Sequence, residues 1–254
     1  MVAAGDIACP PNLRPSLEQC QQEATAETVE SLHPTAVLAL GDLQYERGEL
    51  TNFKSAYARS WGRFRAITHP APGNHEWSTP NDAGYKAYWG VADAWNSFTI
   101  GTWHVVALDS ECELIGGCQA GSPEEKWLRA DLAAHPAKCI LAFWHKPRWS
   151  SGFHGSNKAY DAFWSDLSAA GADVVLSGHD HDYERFGLDR GIRQFVVGTG
   201  GRSLYPVITT EKGSEAQSSR SFGVLALRLG AASYSWQFVP SAGGGFTDSG
   251  SASC

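Results

Sequence analysis

Seven side chains with oxygen or nitrogen donor atoms are placed where they could form a metal centre. They are Asp6, Asp42, Tyr45, Asn74, His145, His179 and His181. Six of them follow short apolar runs, and Asn74 lies in the turn PAPGNHEW. Carboxylates, imidazoles and amide oxygens are typical ligands of metal ions in proteins. These residue types therefore predict a metal centre with enough donors for two adjacent ions.

The prediction rests on the combination of these seven residues, because each residue or short motif alone has a simpler explanation. A Gly-Asp pair is commonly a turn, and one histidine after a strand is usually a hydrogen-bonded surface residue. In GHDH, alternate residues of an extended chain point the same way, so His179 and His181 can face one centre while Asp180 faces away. Asn74 is informative because a neutral amide oxygen is a poor ligand unless carboxylates and imidazoles accompany it.

Four short apolar runs are expected to be the buried strands that position these side chains. They lie at 2–8, 36–42, 139–145 and 172–179. The segments 23–33 and 158–171 space their apolar residues at helical intervals, and Gly171 closes the second. This alternation predicts βαβ units, which bind ligands just beyond the carboxyl ends of their strands.

The remaining segments predict a second sheet. Residues 122–135 indicate another helix, with Ser122 as its N-cap and Glu125 completing a capping box. The run 97–110 is typical of a hairpin, and the final third is rich in strands. A Gly/Ser-rich tail occupies 241–254. Because no linker divides the chain before the tail, we expect a single domain over 1–254.

The composition is that of a folded enzyme domain. The chain has 254 residues, 43% of them hydrophobic, and its 20 basic and 27 acidic side chains give a net charge of −7. A protein that binds a phosphate backbone is normally basic, and no apolar run approaches the ~20 residues of a membrane span. We therefore expect a soluble protein with no nucleic-acid-binding module and no membrane partner.

The six cysteines predict disulfide bonds. None lies in the CxxC spacing of a structural zinc site. Cys9 with Cys20 and Cys112 with Cys118 would close short loops and leave Cys139 for Cys254, although fifteen connectivities are formally possible. Disulfides persist in oxidising compartments, so we expect a secreted or periplasmic protein; the alternative is a cytosolic protein with six reduced thiols. No signal peptide follows Met1, and we expect a mature form written with an added methionine.

Five segments, in this order between positions 5 and 181, resemble the five blocks of the calcineurin-like metallophosphoesterases. They are GDIA, GDLQY, GNHE, AFWH and GHDH. Within that superfamily the chain is most similar to the purple acid phosphatases: Ala8 stands where other members carry a histidine, and Tyr45 matches the tyrosine that ligates ferric iron. Ala8 and Ala142 depart from the family pattern without removing a ligand.

The resemblance implies an α/β fold and two metal ions. The fold would be a four-layer αββα sandwich of two mixed β-sheets flanked by helices, as a minimal catalytic domain. One ion, expected to be Fe(III), would be held by Asp6, Asp42, Tyr45 and His181. The other, expected to be Zn, Fe(II) or Mn, would be held by Asp42, Asn74, His145 and His179. Asp42 would bridge both ions.

The resemblance also implies a function. His75 is expected to contact the phosphate and protonate the leaving oxygen, with Glu76 orienting it, and His154 is expected to line the substrate pocket. The reaction would be hydrolysis of small phosphate monoesters to inorganic phosphate, by in-line attack of a metal-bound hydroxide. A phosphodiesterase with the same site is the main alternative, and a non-catalytic secreted protein that binds metal or a partner is a remote one. The oligomeric state stays open.

Other segments that resemble functional motifs have simpler structural explanations. GTGGR at 198–202 lacks the GK[ST] of a Walker loop, so its glycines are expected to allow a tight turn beside the site. HEWST after Asn74 lacks the second histidine of a zinc-protease motif. Four further histidines have no partner motif and are expected to be structural: His33, His69, His104 and His135.

Overall fold

A computed structural model describes residues 1–93, 95–241 and 243–254, which form two mixed β-sheets flanked by helices. Ala94 and Ala242 lie outside the described residues, so the predicted tail at 241–254 is described except at Ala242. The four-layer sandwich expected from the sequence is confirmed.

The first sheet has six strands in the order β13-β12-β11-β1-β2-β3. Its parallel part is β1 (Val2–Ala4), β2 (Val37–Leu40) and β3 (Thr68–Ala71). Its antiparallel part is β11 (Gly223–Leu229), β12 (Ser233–Pro240) and β13 (Ser249–Ser253). Helix α1 (Gln22–Ser31) connects β1 to β2. The first predicted βαβ unit is therefore present.

The second sheet has seven strands in the order β10-β8-β9-β7-β6-β5-β4. Its parallel strands are β5 (Trp103–Ala107), β6 (Cys139–Phe143), β7 (Val174–Ser177) and β9 (Ile192–Val197). The antiparallel strands are β4 (Asn96–Ile100), β8 (Tyr183–Asp189) and β10 (Ser214–Ser218). The predicted hairpin is β4 with β5.

The other α-helices are α2 (Leu50–Ser55), α3 (Ala83–Trp89), α4 (Pro123–Ala134) and α5 (Asp161–Ala169). Gly171 ends α5 in the left-handed conformation, at φ +79°, as predicted. Ser122 caps α4 by accepting from the amide of Glu125 at 3.4 Å. The second half of the predicted capping box is wrong, because the Glu125 carboxylate accepts from the amide of Gly121, at 2.8 Å, one residue earlier.

Strand alternation divides the apolar residues between two layers. Val105 of β5 belongs to the core between the two sheets, whereas Val106 faces outward into a second core with Leu128 of α4 and Phe163 of α5. Successive side chains of a strand point to opposite faces, so one short apolar run supplies both layers. The strands that carry the site are thus buried on both faces.

Two strands were missed by the sequence analysis. β3 carries Pro70, which reads as a strand breaker, but β3 is an edge strand, where a residue without an amide hydrogen is tolerated. β13 lies in the Gly/Ser-rich tail, where no apolar alternation marks a strand; its pairing with β12 is therefore a tertiary effect.

All six cysteines are paired, in the predicted connectivity. Cys9 bonds to Cys20, Cys112 to Cys118 and Cys139 to Cys254. The last bond ties the residue after β13 to the start of β6, and so links one sheet to the other. Among the described residues, no helix is long and apolar enough to cross a membrane.

Candidate metal centre

The predicted donors lie where strands of both sheets end. Asp6, Asp42 and His179 each follow a glycine, and each has a positive φ, of 60°, 48° and 70°. Aspartate and histidine tolerate this left-handed conformation better than most residues. The turn that ends each strand therefore places a donor side chain at the same edge. Gly41 is required there, because a Cβ on it would lie 2.5 Å from the Cβ of His145.

The first group of donors surrounds the hydroxyl of Tyr45. This oxygen lies 2.7 Å from Asp6 Oδ1, 3.0 Å from Asp42 Oδ2 and 3.0 Å from His181 Nε2. His181 Nε2 lies 3.1 Å from Asp6 Oδ1. The structure thus brings together all four residues that the sequence assigned to the first ion.

The second group shares Asp42 with the first. Asp42 Oδ2 lies 3.2 Å from His145 Nε2, which lies 3.2 Å from His179 Nδ1. One donor atom each from Asp42, His145 and His179 can be chosen so that all three lie within 4.8 Å of one another. Asn74 Oδ1 is buried and has no hydrogen-bond partner among the described residues. A buried, unpaired amide oxygen costs free energy unless something binds it.

Each carboxylate has one oxygen fixed by the backbone and the other turned to the centre. Asp6 Oδ2 accepts from the amide of His179 at 2.8 Å, and Asp42 Oδ1 accepts from the amide of His75 at 2.9 Å. Asp6 Oδ1 and Asp42 Oδ2 are the oxygens that meet Tyr45. The carboxylates are therefore oriented before any ligand arrives.

Two imidazoles are oriented in the same way. His145 Nδ1 lies 2.9 Å from the carbonyl oxygen of Leu40, and His181 Nδ1 lies 3.0 Å from Ser203 Oγ. In both rings Nε2 is consequently the nitrogen that faces the carboxylates. A partner on the outer nitrogen fixes the tautomer that a metal-binding histidine needs.

The buried carboxylates shift the pKa values of the other donors at the centre. Burial disfavours the charged form of His145, but Asp42 and Asp6 outweigh it and raise the pKa of His145 to about 10. Burial, and then His145, lower the pKa of His179 to about 2. Burial and the same carboxylates raise the pKa of Tyr45 well above its usual value. The two buried carboxylates therefore favour a positive charge beside them.

The donor set fits metal ions. The two groups offer carboxylate oxygens, imidazole nitrogens, a phenol oxygen and the unpaired oxygen of Asn74, which hard and borderline cations accept. A cation could replace the proton of His145 and satisfy Asn74 together.

The two predicted catalytic histidines lie next to predicted ligands: His75 beside Asp42, and His154 beside His179. His75 Nε2 lies 3.7 Å from Asp42 Oδ2, and its Nδ1 lies 2.5 Å from the carbonyl oxygen of Glu46. The ring of His154 stacks on that of His179, with centroids 4.1 Å apart. Both rings border the predicted centre.

The expectation that Glu76 orients His75 is wrong. The Glu76 carboxylate is fully buried and accepts from the amides of Leu43, Gln44 and Gly73, at 2.8 to 3.1 Å. It joins the loop after β2 to the loop after β3. The His75 ring is instead in contact with the Glu46 carbonyl and with the ring of Tyr45.

Sequence reasoning missed the residues that support the site from distant segments. Asp180 does face away from the centre, as expected, but its Oδ1 accepts from the amide of His154 at 2.7 Å and lies 3.0 Å from that ring's Nδ1. Tyr205 stacks on His181, with centroids 4.0 Å apart. The guanidinium of Arg202 lies 5.3 Å from the ring centroid of Tyr45. No local sequence signal connects these partners, which meet only in the fold.

Two of the histidines expected to be structural share one carboxylate. Asp131 of α4 binds His104 Nε2 at 2.7 Å and His135 Nδ1 at 3.1 Å. Ser97 of β4 donates to the same carboxylate at 2.6 Å. These contacts fasten the end of α4 to the edge of the second sheet. His69 stacks on Phe98, with centroids 3.7 Å apart.

The sequence matches a known protein family over most of its length. Residues 2–183 match the family described as calcineurin-like phosphoesterase. An uncharacterized protein of Mycobacterium tuberculosis, Rv2577, is 30% identical over 186 residues, covering 62% of this chain and 33% of that protein. Purple acid phosphatase 15 of Arabidopsis thaliana is 26% identical over 229 residues, covering 70% and 42%. The chain thus spans well under half the length of these curated relatives.

Solved structures share the fold. The purple acid phosphatase PPD1 from yellow lupin seeds superimposes with a TM-score of 0.74 and 17% identity, covering 99% of this chain and 53% of that one. GAP50, the anchor in the inner membrane complex of Plasmodium, gives a TM-score of 0.72 and 16% identity, covering 97% and 86%. At such identities the likeness establishes the architecture alone.

Proposed function

Because this chain belongs to the calcineurin-like phosphoesterases, we propose that it hydrolyses phosphate monoesters at a centre of two metal ions bridged by Asp42. The observation that carries the proposal is the pair of buried carboxylates, Asp6 and Asp42. Each has one oxygen fixed by a backbone amide and the other turned to a shared centre. Asp42 Oδ2 lies near a donor of each group, Tyr45 at 3.0 Å and His145 at 3.2 Å, which supports Asp42 as the bridging ligand.

The proposed ligands of the two ions are those that the family resemblance implies. Asp6, Asp42, Tyr45 and His181 would hold one, and Asp42, Asn74, His145 and His179 the other. When bound, the ions would lower the pKa of a water molecule and neutralise charge on the phosphate.

Two histidines of the chain would donate the proton and contact the phosphate. The Glu46 carbonyl accepts from His75 Nδ1. When the ring carries a second proton on Nε2, on the side of Asp42, that proton would pass to the leaving oxygen. Asp180 holds His154 in place beside His179. From there the ring of His154 would contact the phosphate. His75 is 25% and His154 36% exposed at the side chain, so substrate can reach both.

The metal proposed for the first position is Fe(III). The pKa of Tyr45 is raised by its burial and by two carboxylates, so the hydroxyl ionises only beside a strongly acidic cation. We expect the oxidised, iron-loaded protein to be violet, because a phenolate bound to Fe(III) absorbs visible light. Tyr45→Phe should abolish that band and leave a weaker metal site. A colourless wild type that is fully active with zinc or manganese alone would refute the ferric assignment.

The function is tested by phosphate release from a panel of monoesters and diesters. The proposal expects release from monoesters that stops when a chelator removes the metals and returns when they are restored. Faster hydrolysis of diesters would favour the phosphodiesterase alternative. Metal-loaded protein that cleaves neither class would favour a non-catalytic role.

The proposed compartment is oxidising, either secreted or periplasmic. Three disulfide bonds in a chain of this size support that proposal. Thiol titration of denatured, unreduced protein from its native source should find no free thiol. Recovery of about six thiols would contradict it.

A further inference from the structure

Three aromatic rings form a triangle beside the candidate metal centre. The ring centroids of Phe153, His154 and Tyr205 are separated by 5.3, 5.9 and 6.1 Å. We name these three residues the aromatic rim. His154 stacks on His179 and Tyr205 stacks on His181, so the rim rests directly on two predicted ligands.

Phe153 is the most exposed member of the rim. It is 63% exposed, whereas most large apolar side chains of the chain are buried in the two cores. A phenyl ring left in water beside a polar centre provides apolar surface for a ligand to cover.

Hydrogen bonds within its loop hold Phe153 in its exposed position. The amide before it, of Gly152, donates to Ser150 Oγ at 2.9 Å, and the amide after it, of His154, donates to Asp180 Oδ1 at 2.7 Å. Ser150 Oγ in turn donates to the same buried Asp180. With both flanking amides fixed, Phe153 is held in the position where it projects.

A second buried carboxylate anchors the same loop. Ser151 binds Glu184 through its amide, at 2.8 Å, and through its hydroxyl, at 2.5 Å. Ser151 and Glu184 are both fully buried. The rim is therefore preorganised, and a ligand that contacts it does not have to order the loop first.

We propose that the aromatic rim binds the organic group of the substrate, and that this group is a planar aromatic ring. The proposal rests on the proposed function. His154 and Tyr205 of the rim stack on His179 and His181, one predicted ligand of each ion, so an ester held at both ions would lie beside the rim. Rings prefer offset or edge-to-face contacts with centroids about 4.5–7 Å apart, and the rim offers Phe153 and Tyr205 for such contacts. An aryl phosphate would fit better than an alkyl phosphate.

The test uses two phosphonates, which have the anionic head of a substrate but no ester bond to cleave. Phenylphosphonate and methylphosphonate are titrated into the metal-loaded protein by calorimetry. An aromatic contact adds to the gain from burying apolar area, so we expect the phenyl compound to bind about tenfold more tightly. Because neither compound reacts, the result is independent of leaving-group chemistry.

Variants assign the preference to Phe153. Phe153→Ala should lose most of the tenfold difference, and Phe153→Trp should keep it. Leu188→Ala is the matched control, since Leu188 is 64% exposed on β8, and it should keep the wild-type ratio.

The outcomes separate this inference from the proposed function. Equal binding of the two phosphonates to an active wild type would overturn the rim proposal alone, as would an unchanged ratio in Phe153→Ala. Failure of both phosphonates to bind, together with no release of phosphate from any ester, would overturn the proposed function and the rim proposal with it.

Discussion

Asp42 and Asp248 are both largely buried carboxylates with several polar neighbours, but the two regions balance charge differently. Asp248 accepts from Arg185 Nε, Tyr183 Oη and Trp236 Nε1, at 2.7 to 3.1 Å. Burial alone would raise its pKa, but the contacts from Arg185 and Tyr183 outweigh burial and lower it. The guanidinium stays charged at any relevant pH, so this network is complete within the chain.

Around Asp42 the positive charge comes from an imidazole that can lose its proton. His145 has a pKa raised to about 10 only because Asp42 and Asp6 crowd against it. Asn74 Oδ1 still has no partner among the described residues. Folding therefore satisfies the carboxylate of Asp248 with partners from β8 and β12. At the candidate metal centre it leaves a buried oxygen without a partner among the described residues.

His75 gives the largest effect that should separate the two regions. His75→Ala removes the proposed proton donor but no predicted ligand, so phosphate release should fall about 10²- to 10⁴-fold while both metals remain bound. Steady-state kinetics and elemental analysis of the same sample check this. Loss of a metal from His75→Ala would show that His75 is a ligand, and would contradict its assignment as a proton donor that binds no metal.

A third region of the molecule also contains two buried carboxylates close together. Asp109 is fully buried, next to Glu124, whose carboxylate accepts from the Asp109 amide at 2.6 Å. Burial raises the pKa of Asp109 from 3.8 to about 7. Burial thus favours the protonated form of Asp109.

The protonation of Asp109 predicts a pH dependence of stability. Between pH 4 and pH 7 the unfolded chain has lost this proton and the folded chain keeps it, so the free energy of unfolding falls as the pH rises. Relative to Asp109→Asn, the wild type should lose on the order of 4 kcal/mol across that window. Urea denaturation at several pH values measures the difference. A difference that does not change with pH would contradict the protonated state.

Asp248 should give the smallest effect, and one on stability instead of activity. Asp248→Asn leaves the Arg185 guanidinium without its carboxylate and should lower the free energy of unfolding by about 2 kcal/mol. Asp189→Asn is the control, because Asp189 is 41% exposed at the side chain and meets Arg190 only at 3.6 Å; about 0.5 kcal/mol or less is expected there. If Asp248→Asn instead lost metal or turnover, the two regions would not be independent.

The sequence predicted the strands and the donors that follow them, because both are local. A Gly-Asp or Gly-His pair after an apolar run requires only a strand and a tight turn, and Asp6, Asp42 and His179 lie in such turns. The disulfide connectivity followed from loop length and the position of Cys254.

What the sequence could not predict depends on distant segments. The tail became β13 because β12 offers it a partner, and Pro70 fits β3 because that strand lies at an edge. Glu76 was assigned to its sequence neighbour, His75, but three amides from other loop positions bind it. GHDH is a turn with a positive φ at His179, so the alternation of an extended chain does not apply to it. The link of Asp180 to His154 exists only once the loop and β7 are packed together.

The most direct test of the central claim is the number of metal ions bound per chain in the wild type and in Asp42→Ala. Both proteins are loaded with metal, passed through gel filtration and analysed for metal content by mass spectrometry. If Asp42 bridges two sites, the wild type should keep two ions and the variant fewer than one, with a circular dichroism spectrum unchanged. An Asp42→Ala protein that retains two ions, or an active wild type that binds only one, would contradict the account.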